Sequence, residues 1–298
     1  MRILVIGSEG HIGRHLVALL KKSHYVARVD RLPGHEQGYF CADIRDGLDL
    51  SRVFEIVCPD VVYNLAGMVS RVTSEAATQA TLRMNVEGAH NVASLCKCAG
   101  SALVHYSTSE VYGNTSELLD ERRACHPNNW YGLTNLLAES VVQYVRERNV
   151  CVVRPVMLYH EDECDGDHRS FMIRACKYIH RGTNFQLHRG SARSWCHMED
   201  AVKAMALIGK RLVDRLEVPE IVNIGHPDMQ EMSELVKFFE IEFRKSAEFT
   251  TVELPARMTA VKRPDLRRIF SLGWQPEIDL RTGVGRVAKF YRRRYGQE

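Results

Sequence analysis

The opening stretch of the chain allows few folds. Arg2 to Ile6 is a short apolar run, RILVI, which breaks at once into Gly7-Ser8-Glu9-Gly10-His11-Ile12-Gly13. A helix-patterned segment, HLVALLKK, follows, and Tyr25 to Asp30 (YVARVD) is a second strand-like run that ends on an acid. Strand, glycine turn, helix, strand and acid, in that order, make a βαβ unit suited to a dinucleotide. One glycine permits a tight turn, the next a close approach of backbone to pyrophosphate, and the third close packing of helix on sheet. The helix N-terminus offers unpaired N–H groups and the positive end of its dipole to phosphate. Asp30 then accepts hydrogen bonds from the adenosine ribose, and its charge selects NAD over the 2′-phosphate of NADP, with Arg31 beside it partly offsetting that repulsion.

Strands continue to alternate with helices. Leu50 to Val57 reads as a helix, and Val61 to Leu65 as a buried strand that turns at Ala66-Gly67. A long helix is expected over residues 77–99, a strand at Ala102 to Tyr106, an amphipathic helix from about Asn129 to Arg148, and a strand at Val150 to Arg154. The alternation implies an α/β fold of the Rossmann type, a doubly wound parallel sheet covered on both faces. Ligands of such sheets sit beyond the carboxyl ends of the strands. Those ends carry the glycine turn, Asp30, Ala66-Gly67 and Ser107-Thr108-Ser109-Glu110-Val111-Tyr112-Gly113.

After Pro155 the regularity falls away. Residues 1–155 are expected to form the dinucleotide-binding domain, completed by parts of 191–225, with 156–298 a smaller, interleaved α/β substrate-binding region. Helices are expected near 231–244 and 279–294. His160-Glu161-Asp162-Glu163-Cys164-Asp165-Gly166-Asp167-His168 has neither an H-E-x-x-H nor an EF-hand spacing, so it reads as a solvated loop and no metal is expected.

A chain of 298 residues with 45% hydrophobic and 26% charged residues suits one large α/β domain with an appendage. A net charge of +3 gives no footprint for nucleic acid, and no apolar run is long enough for a membrane span. The chain enters its first strand directly, which leaves no room for a signal peptide. Nine scattered cysteines with no C-x-x-C pair read as reduced thiols, and so as a cytoplasmic protein.

Taken together, several segments resemble the extended short-chain dehydrogenase/reductase family, the NAD-dependent nucleotide-sugar epimerases and dehydratases. Gly7–Gly13 matches that family's G-x-x-G-x-x-G; Asp43-Ile44 resembles its adenine contact, and Asn64-Leu65-Ala66-Gly67 its turn against the cofactor. Ser107–Gly113 is close to its S-T-x-E-V-Y-G, and Tyr131-Gly132 with Ala138-Glu139 resembles its Y-G-x-x-K-x-x-x-E helix. Arg154-Pro155, the span Arg193 to Asp200, Asn223-Ile224-Gly225 and Leu272-Gly273-Trp274-Gln275-Pro276 follow in family order.

The resemblance implies that Gly7, Gly10, His11, Ile12, Gly13, Asp30, Arg31, Asp43, Ile44, Leu65, Ala66, Gly67, Tyr131 and Asn135 bind NAD. It implies catalysis by Thr108, Glu110 and Tyr131. The tyrosine would move a proton on a substrate hydroxyl, Thr108 would bond the same oxygen, and Glu110 would serve as a second acid or base. Arg193 and Arg263 are the candidates for the diphosphate of the nucleotide-sugar substrate. A homodimer through the 77–99 and 129–148 helices is expected. Residue by residue, Tyr131 also reads as a capping aromatic, Thr108 as a strand end and Glu110 as a loop charge.

Two segments depart from the family pattern. The lysine four residues after the tyrosine is Asn135, and no lysine occurs between Lys97 and Lys177. Met157 stands where the family has the Asn of R-P-x-N, and His160-Glu161 replaces its Gly-Pro. The expected activity is epimerisation or dehydration of a nucleotide-activated sugar through a transient 4-keto intermediate. An NAD(P)H-dependent ketoreductase, a uronate decarboxylase of the same family and a non-catalytic NAD(P)-binding protein stand as alternatives.

Overall fold

The computed structural model describes residues 1–163, 170–255 and 258–296. A seven-stranded sheet runs in the order Tyr39–Cys41, Tyr25–Asp30, Arg2–Ile6, Val61–Asn64, Ala102–Tyr106, Val150–Pro155 and Ile221–Ile224. Every neighbouring pair in it is parallel. The strand order reverses direction between Arg2–Ile6 and Val61–Asn64, and a crevice opens above such a switch point.

The strands read as unbroken apolar runs because both faces are covered. Side chains alternate along Arg2–Ile6, so Ile3 and Val5 join the helices His11–Leu20 and Met198–Val213 on one face. Leu4 and Ile6 join Gly47–Val57, Gly88–Ala99 and Trp130–Val145 on the other. The strand Ile221–Ile224 lies far along the chain yet completes this sheet beside Val150–Pro155.

The remainder builds a third core. Helices Phe171–Arg181, Met232–Phe243 and Leu280–Tyr295 close around Tyr159, Trp195 and Phe239. Ala192–His197 pairs with Met157–Tyr159, Met229–Glu231 and Val261–Pro264, the last of which pairs with Leu118–Leu119. Phe185–His188 and Phe249–Val252 form a separate parallel pair.

The segment expected as one helix over 77–99 is subdivided. Arg71–Ala76 precedes it, and a π-helical turn at Arg83–Glu87 separates Thr78–Leu82 from Gly88–Ala99. Asn85 lies in that wide turn, where it accepts a hydrogen bond from Met68 N at 2.7 Å and donates to Thr134 Oγ1 at 3.1 Å. Among the described residues no helix is long and apolar enough to cross a membrane.

Candidate active site

The glycine turn leaves Arg2–Ile6 and is held against the next strand by Gly7 N and Ser8 N, which donate to Val29 O at 2.8 and 3.1 Å. Gly7 has φ +81°, and a Cβ on it would meet Ala66 N at 2.8 Å. On Gly13 a Cβ would sit 2.1 Å from Gly7 O. Turn, helix and the Leu65-Ala66-Gly67 segment therefore close on one another as tightly as glycine permits, which is the cradle a pyrophosphate needs. Gly10 caps the helix without a side chain, so the amides at His11, Ile12 and Gly13 face no capping oxygen. Asp30 ends its strand beside the turn and accepts from Glu9 N at 3.0 Å and Leu32 N at 3.3 Å. Arg31 is exposed next to it. Asp43 follows the edge strand; its carboxylate is gripped by the Arg45 guanidinium, whose hydrogen bonds lower its pKa, and Ile44 is buried beside it. The residues present fit NAD.

Ser107–Gly113 leaves the neighbouring strand as a short 3-10 turn capped by Thr108, whose Oγ1 accepts from Glu110 N at 3.2 Å. Asn129 caps the helix Trp130–Val145 through Gly132 N at 2.8 Å, which sets Tyr131 on the first turn. The Thr108 hydroxyl lies beside the Tyr131 phenol, close enough to act on its ionisation. Burial pushes the Tyr131 phenol up to about 12; the Thr108 hydroxyl opposes the shift, and the Glu110 charge adds to it. Thr108, Glu110 and Tyr131 are thus brought together.

Asn135 stands one helical turn after Tyr131. It is buried, and its amide donates to the Tyr131 carbonyl at 2.7 Å, so it braces the helix and brings no charge. The buried cation of the site is Lys262, which the motif reading missed. Its ammonium pairs with Glu110 Oε1, while Asn129 Nδ2 donates to Glu110 Oε2 at 3.0 Å. Burial would raise the Glu110 carboxyl, but the Lys262 charge and hydrogen bond, with Asn129, outweigh it and hold the group down at about 2. Burial lowers Lys262 in turn. Arg71, at the start of its short helix, adds positive potential at both.

The two arginines expected on a diphosphate stand in different surroundings. Arg263 is exposed, because successive residues of the strand Val261–Pro264 point to opposite faces and Lys262 holds the inward one. Arg193 is buried, but its guanidinium donates to the carbonyls of Ala192, Ala260 and Thr259. It ties down the strand that carries Lys262, and burial brings its pKa down to about 10.

Other motif residues are structural supports. Glu139 and Arg154 form a buried ion pair, with Ser107 Oγ donating to the same carboxylate. The Arg154 guanidinium lies 4.8 Å from the Tyr112 ring, and Tyr112 OH donates to Asn223 Oδ1 at 2.8 Å. Asp200 Oδ2 accepts from Glu277 N and Ile278 N at 3.1 and 2.9 Å, and Trp274 Nε1 donates to Asp200 O.

Such a site, on a Rossmann sheet and above its switch point, defines a nicotinamide-dependent enzyme of the short-chain type. The model of the NAD dependent epimerase/dehydratase family matches residues 3–225, and the chain belongs to that family. It is similar to UDP-glucuronic acid decarboxylase 6 of Arabidopsis thaliana, with 24% identity over 99% of this chain and 90% of the relative. It is also similar to the dTDP-D-glucose 4,6-dehydratase of Mus musculus, with 23% identity over 99% of this chain and 89% of that one. The solved structure of MoeE5 in complex with UDP-glucose and NAD superposes with a TM-score of 0.87, at 25% identity and 99% coverage of both chains.

Proposed function

We propose that this protein oxidises the C4 hydroxyl of a nucleotide-activated sugar to a transient ketone and returns the hydride, with the C4 epimer as product. The observation that carries this reading is the Thr108–Tyr131 hydroxyl pair, set beside the ionised Glu110 above the switch point that holds the glycine turn. NAD, when bound, supplies the hydride acceptor. Gly7, Gly10, His11, Ile12 and Gly13 hold its pyrophosphate, Asp30 and Arg31 flank its adenosine ribose, and Asp43, Ile44, Leu65, Ala66 and Gly67 line the remainder. In this division residues 1–155 with the strand at 221–224 hold the cofactor, and the rest of the chain from 156 holds the sugar nucleotide.

Tyr131 is the acid/base. In its ionised form it takes the C4 hydroxyl proton, Thr108 holds the same oxygen, and the protonated phenol returns the proton to the ketone as it is reduced. Glu110 is positioned as an anion and clamped by Lys262, which makes it a weak base. Dehydration needs a base at C5, whereas C4 epimerisation does not, so the arrangement favours epimerisation. Glu110 then acts through Asn129, whose cap fixes the turn that carries Tyr131.

A second reading has its own observation. Arg71 adds positive potential beside the Glu110–Lys262 pair, which suits a uronate carboxylate. A carboxylate β to the C4 ketone is lost as carbon dioxide without a base, and the similarity to a UDP-glucuronic acid decarboxylase supports this reading. Incubation with NAD and UDP-glucose, dTDP-glucose or UDP-glucuronate, followed by mass spectrometry and NMR of the sugar, separates the two. Unchanged mass with inverted C4 is expected for epimerisation, and loss of carbon dioxide for the second reading. Binding of both NAD and sugar nucleotide with no conversion of any of the three would reject both.

A further inference from the structure

The charged segment after Tyr159 reads from sequence as a solvated loop, but its first residues fold onto the helix His11–Leu20. Four imidazoles gather there, with ring centroids 4.0 Å apart for His15 and His160, 5.4 Å for His11 and His15, and 5.2 Å for His160 and His197. Asp162 Oδ1 faces three ring nitrogens: His160 Nδ1 at 2.5 Å, His15 Nε2 at 3.2 Å and His11 Nδ1 at 4.0 Å. The ligand atoms of His11, His15 and Asp162 lie within 4.8 Å of one another. Cys164, Asp165 and Asp167 of the same segment lie outside the described residues.

We propose that His11, His15, His160 and Asp162 form a binding site for a divalent transition-metal ion. Three imidazoles and one carboxylate, without thiolate, suit zinc, cobalt or nickel over magnesium or calcium. Ligand atoms around a tetrahedral zinc at about 2.0–2.1 Å stand roughly 3.3 Å apart. The His15–Asp162 separation is already of that size, and the His160–Asp162 and His11–Asp162 separations differ from it by under about 1 Å.

Arg14 Nη2 lies 2.9 Å from His11 Nδ1, and a guanidinium only donates, so Nδ1 bears a lone pair, which Arg14 covers. Arg14 also pairs with Asp162 Oδ2 at 3.1 Å and supplies the positive charge of the cluster in the metal-free protein. Its side chain is 43% exposed and can turn outward when an ion enters.

A neighbouring group, His160, Glu161, His197 and Glu199, has equally close atoms but more of them already tied to other partners. His197 Nδ1 accepts from Glu199 N at 3.3 Å, which leaves its proton on Nε2, 2.9 Å from Glu161 Oε2. That ring is fully buried and held at both nitrogens. Glu199 is also tied to Arg286 at 3.1 Å.

The consequence is mechanical. His11 and His15 ride on the helix that follows the glycine turn, whereas His160 and Asp162 begin the excursion toward the C-terminal half. An ion there pins the two together and stabilises the folded chain by mass action.

The test uses the full chain stripped with a chelator, then titrated with zinc and with cobalt. One equivalent is expected to bind at micromolar concentration, raise the melting temperature, and give a cobalt spectrum without a thiolate charge-transfer band. His15→Gln and Asp162→Asn should each weaken binding about tenfold or more, and Glu199→Gln should not. If either variant melts early without metal, His160→Gln replaces it. Absence of binding, a thiolate band from exposed Cys41, Cys58 or Cys98, full retention in the ligand variants, or loss in Glu199→Gln would each overturn the proposal.

Discussion

Glu110 and Lys262 stand 152 positions apart in the chain, and folding removes both charges from water together. Stranding one of them is costly, so Lys262→Met should destabilise the protein by about 3–5 kcal/mol in urea unfolding, and Lys262→Arg by much less. Glu110 is held at about 2 against an ordinary 4.5, so its contribution is complete above pH 4.5 and is lost as pH falls toward 2. That acid step should vanish in Lys262→Met; an unchanged acid profile would show that the pair is solvated. Tyr131 behaves oppositely. At about 12 the phenol is ionised in only about one part in 10⁵ at pH 7. Turnover limited by tyrosinate should therefore climb about tenfold per pH unit through neutrality. Asn135→Lys, one helical turn on, should move the break in that profile to lower pH. A neutral plateau in the parent protein would show that the missing charge is supplied elsewhere. Tyr131, Thr108 and Glu110 were legible as candidates because each stands in a segment that resembles a family motif. Lys262 was not: sequence offered Lys262 and Arg263 side by side, and only strand register decides which one faces inward.

Among the elements, the glycine turn carries the tightest constraint. Gly13→Ala places a methyl 2.1 Å from Gly7 O, against backbone that cannot yield without opening the turn. NAD affinity measured by calorimetry should fall at least about tenfold, with stability lower by about 1–3 kcal/mol. Undiminished NAD affinity would mean that the pyrophosphate does not sit on this turn. The inner strands of the large sheet were legible because burial on both faces makes them continuous apolar runs. Tyr39–Cys41, Leu118–Leu119 and Met229–Glu231 were not, since two or three residues carry no period. The break at Arg83–Glu87 also escaped, because apolar spacing barely registers one wide turn and its cause is a polar anchor at Asn85.

For the whole molecule, the helix Trp130–Val145 presents more than one apolar face. Val142 is buried in the sheet core and Leu136 packs near Val111, but Leu137 is 41% exposed and Tyr144 86%. Seven positions apart, these two share a stripe that the fold leaves uncovered. We expect a second copy of the chain to cover it, so light scattering should give a dimer, and Leu137→Glu with Tyr144→Glu a monomer of unchanged fold. A parent monomer at micromolar concentration would contradict this. The histidine cluster was illegible because His15 and Asp162 are 147 residues apart, and a spacing motif cannot see across that gap. The account rests on the chain moving hydride at C4 of a nucleotide sugar. The most direct measurement gives the protein, with NAD, a UDP-hexose bearing deuterium at C4 and follows both the label and the C4 configuration by NMR. The account predicts inversion at C4 with deuterium retained, lost in Tyr131→Phe. Inversion with the label washed out to solvent, or full activity in Tyr131→Phe, would contradict it.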